Sequence, residues 1–227
     1  MNIPHIFIGV DPRQHIALQV LMHSIYSRAS GPVSITPIIL SQIPMKREGL
    51  TQFSFSRYLV PYMSGFKGQS IFLDADMLVL GDIYELIEHA NNQRGENTGV
   101  MPAVSVVKNP LRFEWSSVMV FNNSLCQKLT PEFIDSGVSV MDMTWANDVG
   151  SLPSEWNHLV GYDTPRKDAK LVHFTQGIPC FPETQDSEYE KEWMDELKAC
   201  NSTVSWASIM GNSVHVGPVL KRLAKAA

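Results

Sequence analysis

Short apolar runs alternate with stretches of helical periodicity in the first half of the chain, and this alternation constrains the fold most. An apolar run at residues 5–10 precedes apolar residues at helical spacing over 16–25, and a β-branched run at 33–40 follows the Gly31-Pro32 break. Strand, helix and strand in this order predict a β-α-β unit with a right-handed crossover. Further strand patterns follow at residues 70–73, 99–107 and 117–121. A helical pattern at 54–66 is expected to be kinked or split by Pro61, and Asp82 is expected to cap a helix. The alternation predicts an α/β fold with a mixed, mainly parallel sheet flanked by helices.

The second half of the chain has a looser pattern. It contains a short helical stretch near 125–134, a strand pattern at 170–174 and a helical pattern at about 188–199, with no internal repeat. The chain has 227 residues, of which 44% are hydrophobic, which suffices for one substantial core. We therefore expect a single domain over residues 1–227.

Charge and cysteine content exclude several classes of protein. Eighteen basic against twenty-three acidic residues give a net charge of −5, which argues against binding nucleic acid through its phosphates. Cys126, Cys180 and Cys200 are odd in number and widely spaced, which fits neither a disulfide framework nor a zinc cluster. No basic leader and no run of about 18 apolar residues is present, so a cytoplasmic protein is expected.

An aspartate pair interrupts the apolar stretch "SIFLDADMLVLGDI" at residues 70–83. Burying a charge costs several kcal/mol unless the charge is paired or bound to a metal, so Asp74 and Asp76 need a partner. Ligands of α/β proteins gather at the carboxyl ends of the strands, where these two residues stand. Residues two apart in an extended chain point to the same side, so both carboxylates can converge on one divalent cation.

Two other interpretations of the pair remain open. One aspartate could cap the next turn while the other faces solvent. Haloacid dehalogenase-like phosphatases also place Asp-x-Asp after an apolar strand, the first aspartate being the nucleophile. That motif usually continues with Thr or Val on the first strand of the chain, whereas Met77 follows here and the strand is about the third.

Several landmarks occur together in the order typical of one family. The chain resembles the family-eight glycosyltransferases of the GT-A fold, in which a metal-binding Asp-x-Asp follows a strand of a Rossmann-like sheet. The landmarks cover about residues 3–183 and read "IFIGVD", "FSFSRYLVP", "IFLDADMLVLGDI", "SSVMVFNN", "LPSEWNHL" and "LVHFTQGIPCF".

The resemblance implies a metal-dependent transferase of the hexosyltransferase type. Such an enzyme moves a sugar from a nucleotide-sugar donor, here a UDP-sugar, to an acceptor that the sequence does not identify, with retention of configuration. Asp74, Asp76 and His173 would hold Mn²⁺ or Mg²⁺ against the donor diphosphate. The alternative for His173 is a core histidine bonded to backbone. Residues 1–121 would form the half that binds nucleotide and metal, and residues 122–227 the acceptor-side half with C-terminal helices.

The resemblance also implies contacts to the donor and a catalytic pair. Asp148 and Arg57 would act in catalysis, Asp148 by touching the sugar or the acceptor. Each of three residues also has an alternative interpretation. Asp148 could be an exposed loop residue, Arg57 could lie on a solvated helix face, and Asp11 could form a turn with the proline that follows it. The donor-binding residues would be Val10, Asp11, Arg57, Asp74, Ala75 and Gly177.

Two departures from the family pattern raise a second hypothesis. The family usually has Asn-Ser-Gly where this chain has Trp115-Ser116-Ser117, and a lysine that meets the diphosphate where this chain has Ile178. Loss of that lysine removes a counter-charge for phosphate. A nucleotide-sugar-binding protein whose catalytic activity has decayed is therefore the alternative function.

The C-terminal segment "VGPVLKRLAKAA" combines apolar residues with Lys221, Arg222 and Lys225. This composition suits weak contact with an anionic membrane surface, close to a lipid or saccharide acceptor. The alternative is an ordinary solvated terminal helix.

Overall fold

The computed structural model describes residues 3–95 and 99–226, the side chain of residue 226 excepted. The strands are β1 His5–Gly9, β2 Ser34–Ile38, β3 Gln69–Asp74, β4 Met77–Val79, β5 Val104–Val107, β6 Val118–Asn122, β7 Val149–Leu152, β8 His158–Leu159 and β9 Leu171–His173. The α-helices are α1 His15–Arg28, α2 Val60–Met63, α3 Ile83–Asn91, α4 Pro131–Asp135, α5 Glu190–Cys200, α6 Trp206–Met210 and α7 Val216–Ala226.

In the described chain, the main sheet has six strands in the order β2-β1-β3-β6-β5-β7. β1 pairs in parallel with β2 and β3, and β5 pairs in parallel with β7. β6 runs antiparallel to both of its neighbours, β3 and β5. The other strands therefore share one direction, and the predicted mixed, mainly parallel α/β sheet is confirmed.

A smaller sheet joins residues from both halves of the chain. Within the described residues it has the order β4-β9-β8, with β9 antiparallel to β4 and parallel to β8. The sequence predicts β9, but it does not predict β4, β7 or β8, which are two to four residues long. Strands this short have too few residues to show a periodic pattern.

The helices follow their local sequence signals. Asp82 caps α3 by accepting a hydrogen bond from the Tyr84 backbone N–H, as the sequence predicts. The helical stretch at 54–66 is split, since a 3₁₀ turn at Ser56–Leu59 leads into α2 with Pro61 in its first turn. The helix expected near 125–134 is displaced, because Thr130 caps α4 and Pro131 can only begin it.

The core lies on both faces of the main sheet. Ile71 and Leu73 point into one apolar cluster and Phe72 into the other, as alternation along β3 requires. Helices α1 and α5 pack together, with Glu196 of α5 ion-paired to Arg28. Across residues 3–95 and 99–226, no helix combines the length and apolar character needed to cross a bilayer.

Candidate functional site

The candidate site lies at the carboxyl ends of β1 and β3. These strands are neighbours, and Gly9 stands opposite Asp74 in their register. The residues that follow each strand, Asp11 on one side and Asp76 on the other, therefore meet at one edge of the sheet. β6 is antiparallel, so its beginning reaches the same edge, where the Ser117 carbonyl accepts a hydrogen bond from the Asp74 N–H.

Asp74 is buried and ion-paired with Arg57. The Arg57 Nη2 lies 3.1 Å from Oδ1 and 3.3 Å from Oδ2 of Asp74. Arg57 comes from the 3₁₀ turn before α2 and also donates to the Phe53 carbonyl at 3.0 Å and to the Ser116 hydroxyl at 3.1 Å. Its guanidinium lies 5.1 Å from the ring centre of Phe72. Arg57 is therefore a buried group that fixes Asp74, and the solvated-helix alternative does not apply to it.

His173 and Asp76 are brought together by the smaller sheet. His173 is opposite Met77 in the β4–β9 pair, and the Phe174 N–H donates to the Asp76 carbonyl at 2.9 Å. The Nε2 of His173 lies 3.4 Å from Oδ1 of Asp76 and 4.0 Å from Oδ2 of Asp74. The structure thus brings together the three predicted metal ligands.

Asn157 orients His173 from behind. Its amide nitrogen donates to the Glu114 carbonyl at 3.2 Å and to the Ser117 hydroxyl at 3.0 Å, so its oxygen faces the imidazole. The His173 Nδ1–H then donates to that oxygen at 3.2 Å. This leaves Nε2 with its lone pair toward the aspartates, the arrangement that metal-ligating histidines use.

Glu114 belongs to the same group of side chains, although the sequence analysis does not single it out. One ligand atom each of Asp74, Glu114 and His173 lies within 4.8 Å of the others. Glu114 stands four residues before the first residue of the antiparallel β6, which places it at the edge where β3 ends. An acidic residue just before β6 therefore indicates a site residue only when β6 is known to run antiparallel to β3.

Burial and neighbouring charges shift the pKa values of two of these groups. Burial is the main cause that raises the pKa of Asp74, from 3.8 to about 7; Arg57 opposes this shift, and the carboxylates of Asp76 and Glu114 add to it. For His173, burial alone would lower the pKa, but the carboxylates of Asp76, Asp74 and Glu114 together raise it. The site therefore favours the uptake of positive charge, by a proton or by a bound cation.

The donor set fits a hard divalent cation. Oδ1 of Asp74 and Oδ1 of Asp76 are buried oxygens without a hydrogen bond of good geometry, and each has an ion-pair contact instead, with Nη2 of Arg57 at 3.1 Å and with Nε2 of His173 at 3.4 Å. Buried carboxylate oxygens normally have hydrogen-bond partners, and metal ions satisfy those that lack them. Carboxylate oxygens with one imidazole nitrogen are suitable ligands for Mn²⁺ or Mg²⁺.

Two adjoining cavities open at this edge in the described chain, and both have Phe53, Asp76 and Thr175 in their walls. The larger, of about 530 Å³, is lined by Arg57, Asp74, Glu114 and His173, among others. The smaller, of about 350 Å³, is lined by Asp11, Ala75 and Gly177, among others. Val10 is buried and does not line either cavity. Gly177 has φ +124°, a conformation that residues with a side chain rarely adopt.

Arginines supply positive charge at the walls of the cavities, whereas residue 178, which stands where the family has a lysine, does not line them. Ile178 is fully buried in the core, so its position could not direct a lysine into the site without repacking. Arg13 lines the smaller cavity and binds Asp11 through Nη2 at 2.6 Å, and this hydrogen bond lowers the pKa of Asp11. Arg112 lines the larger cavity with its guanidinium 5.2 Å from the Trp115 ring centre.

Asp148 is not brought into these cavities. It lines a separate cavity of about 420 Å³ together with Lys108 and Asn147, at the start of β7. Trp156 is fully buried in the core and does not shape the cavities. A role for Asp148 at the sugar stays a prediction.

The fold matches that of solved glycosyltransferases. The galactosyltransferase LgtC, in a complex with donor and acceptor sugar analogues, superposes with a TM-score of 0.59 and 10% identity over 90% of this chain and 99% of that chain. GlyE of Streptococcus pneumoniae superposes with a TM-score of 0.59 and 17% identity, and the match covers 92% of this chain and 63% of GlyE. The bifunctional glycosyltransferase WbbM superposes with a TM-score of 0.60 and 15% identity, and the match covers 97% of this chain and 51% of WbbM. The chain thus spans about half of WbbM. These similarities show the GT-A fold.

No protein-family model matches the chain. Protein CDI of Arabidopsis thaliana is 35% identical to it, and the match covers 86% of this chain and 86% of that protein. Identity at this level over most of both chains shows common descent, and the chain therefore belongs to the family of Protein CDI.

Proposed function

We propose that the protein is a metal-dependent glycosyltransferase that uses a nucleotide-sugar donor, a UDP-sugar in the first instance. The observation that carries the proposal is that His173 lies beside both Asp74 and Asp76, with Oδ1 of each aspartate buried in an ion-pair contact, next to two adjoining cavities. The GT-A fold supports it, because the carboxyl ends of the strands are where such sheets bind ligands.

In this proposal each residue has a defined task. Asp74, Asp76 and His173 hold Mn²⁺ or Mg²⁺, which when bound supplies positive charge to the diphosphate leaving group. Arg57 keeps Asp74 in one orientation through its 3.1 Å contact, and Asn157 keeps Nε2 of His173 turned toward the aspartates. The site is thereby organised before the donor arrives, which avoids reorganisation during the reaction.

The remaining donor contacts follow from the smaller cavity. The backbone after β1, at Val10 and Asp11, would meet the nucleoside, and Ala75 with Gly177 would lie along the diphosphate. Arg13 takes over the task of the family lysine, because it is a cation at the wall of this cavity. The guanidinium suits phosphate, which it can bind through two parallel hydrogen bonds.

Other finer assignments are part of the same proposal. The family-eight relationship, the hexosyltransferase type, retention of configuration and a cytoplasmic location rest on the resemblance and the sequence. The division of the chain also rests on the resemblance: residues 1–121 would bind nucleotide and metal, and residues 122–227 would form the acceptor side. The two halves share their sheets, because β7 and β9 of the second half pair with strands of the first. The acceptor remains a saccharide, lipid or protein of unknown identity.

The alternatives predict different results. The GT-A fold does not favour the phosphatase, which would release phosphate from simple phosphomonoesters. A decayed nucleotide-sugar-binding protein would bind UDP-sugar with Mn²⁺ and turn over none of it. The proposed enzyme would bind the donor and also cleave it.

The deciding experiment is calorimetry and turnover with a panel of UDP-sugars. With Mn²⁺ present, we expect one member to bind and to be hydrolysed slowly without acceptor, and both signals to disappear with a chelator. Retention is then read from the anomeric proton of the product by NMR. Failure of both UDP and Mn²⁺ to bind would contradict the proposal, and binding without turnover or transfer would favour the decayed protein.

We also propose that α7 touches anionic membrane surfaces. Leu220 and Leu223 are 52% and 59% exposed on this helix, which carries Lys221, Arg222 and Lys225 and no acidic residue. In vesicle flotation we expect partial recovery with anionic vesicles at low salt, loss at high salt and none with neutral vesicles. Changing all three basic residues to Gln should abolish the recovery. Equal recovery of this variant would rule out the contact.

A further inference from the structure

We propose that Glu114 is a fourth protein ligand of the metal, in addition to Asp74, Asp76 and His173. The inference rests on the proposed function, because it deepens the description of the same site. Its basis is the position of a carboxylate that the landmark motifs do not include, which lies with the ligand atoms of Asp74 and His173 in one group of mutually close side chains.

The distances place Glu114 within reach of one ion. Ligand atoms of Asp74, Glu114 and His173 lie within 4.8 Å of one another, and Asp76 lies 3.4 Å from the same imidazole nitrogen. Oxygen ligands of hard divalent ions lie about 2.0–2.6 Å from the ion, so ligands on opposite sides of it are about 4–5 Å apart. These distances suit one ion between Asp74, Glu114 and His173, and Asp76, which lies outside that set, would have to move toward the ion.

The charges of the cluster match a divalent cation. Asp74, Asp76 and Glu114 are carboxylates, and among the described residues the arginine ion-paired with this cluster is Arg57. When all are ionised, two negative charges remain uncompensated.

The backbone holds Glu114 in a fixed and uncommon conformation. Its φ is +55°, a left-handed value that costs a non-glycine residue free energy and that is found at functional sites. Its carbonyl accepts hydrogen bonds from the Ser117 hydroxyl at 2.6 Å and from Asn157 at 3.2 Å. Asn157 also binds His173, so one amide positions two of the four ligands. Ser117, where the family usually has glycine, is part of this support.

The test is metal binding to the whole chain without nucleotide. By calorimetry we expect Glu114→Gln to weaken Mn²⁺ binding at least about ten-fold, as loss of a ligand should exceed the usual effect of an outer-shell change. Tb³⁺ luminescence, sensitised by the adjacent Trp115, gives the number of bound waters from lifetimes in H₂O and D₂O. We expect Glu114→Ala, which leaves no side-chain oxygen, to bind Tb³⁺ with more water than the unchanged protein, because water replaces a lost ligand.

Controls separate ligation from a general charge effect. Glu132→Gln, at an exposed position of α4, removes the same charge elsewhere and should leave the affinity and the water count unchanged. Weaker Mn²⁺ binding by Glu114→Gln with an unchanged water count in Glu114→Ala would overturn the inference. An unchanged affinity of Glu114→Gln while Asp76→Asn abolishes binding would also overturn it, and both results leave the proposed function standing. Absence of Mn²⁺ binding by the unchanged protein would instead overturn the proposed function, and this inference with it.

Discussion

Replacing Asp76 with Asn is expected to lower kcat/KM for the donor about 100-fold or more, because it removes a charged ligand at nearly constant volume. Asp76 is the informative aspartate, since its side chain is 25% exposed and contacts His173, whereas Asp74 also stabilises a buried arginine. The measurement is donor turnover across a Mn²⁺ titration. The increase in Tm on adding Mn²⁺ should be lost in the same variant.

The matched control is Asp195→Asn on α5, where the aspartate forms an exposed i,i+4 pair with Lys191. It should retain full turnover and the Mn²⁺-dependent increase in Tm. Without metal, Asp76→Asn should unfold at or above the temperature of the unchanged protein, because it removes a charge that disfavours ionised Asp74. Retained Mn²⁺-stimulated turnover in Asp76→Asn would contradict the assigned metal site.

Replacing Arg57 with Ala is expected to lower the free energy of unfolding by about 3–5 kcal/mol, because it leaves a buried carboxylate without its partner. Arg57 and Asp74 are 6% and 4% exposed, so water cannot substitute for the lost contact. The measurement is urea denaturation at pH 8 and at pH 5.5. Arg222→Ala, on the exposed α7, should change the free energy by less than about 0.5 kcal/mol.

The loss should be larger at pH 8 than at pH 5.5. The pKa of Asp74 is raised to about 7 in the folded protein, above 3.8, so between these values the unfolded chain binds fewer protons and stability falls as pH rises. Removing Arg57 raises this pKa further, so the fall continues to higher pH. Asp74→Asn should abolish this part of the pH dependence in either background. Equal losses at both pH values would show that Arg57 does not stabilise the ionised form of Asp74.

The sequence predicts the elements whose signal is local. β1, α1 and β2 each have their own apolar pattern, and β3 ends where its apolar run meets Asp74. Asp82 marks the start of α3 for the same reason, because a cap acts within one turn. These elements form the half of the sheet that presents the aspartates.

The parts that the sequence does not predict depend on pairing between distant residues. β4 has three residues and exists because Met77 pairs with His173, which no local pattern indicates. The sequence does not indicate Glu114 as a site residue, because its position depends on the reversed direction of β6 and on a left-handed φ. The sequence shows that Ile178 replaces the lysine of the family pattern, but only the structure shows that this position is buried and does not face the cavity.

We expect the pairing of β4 with β9 to make the site a late product of folding. Asp76 and His173 come from opposite halves of the chain, and closing so long a loop has an entropic cost that only the finished tertiary structure offsets. A nascent or partly refolded chain that has formed β1, α1 and β3 would therefore present the aspartates without the imidazole. Metal affinity should appear in the last kinetic phase of refolding, after most of the secondary structure, and would report the arrival of β9.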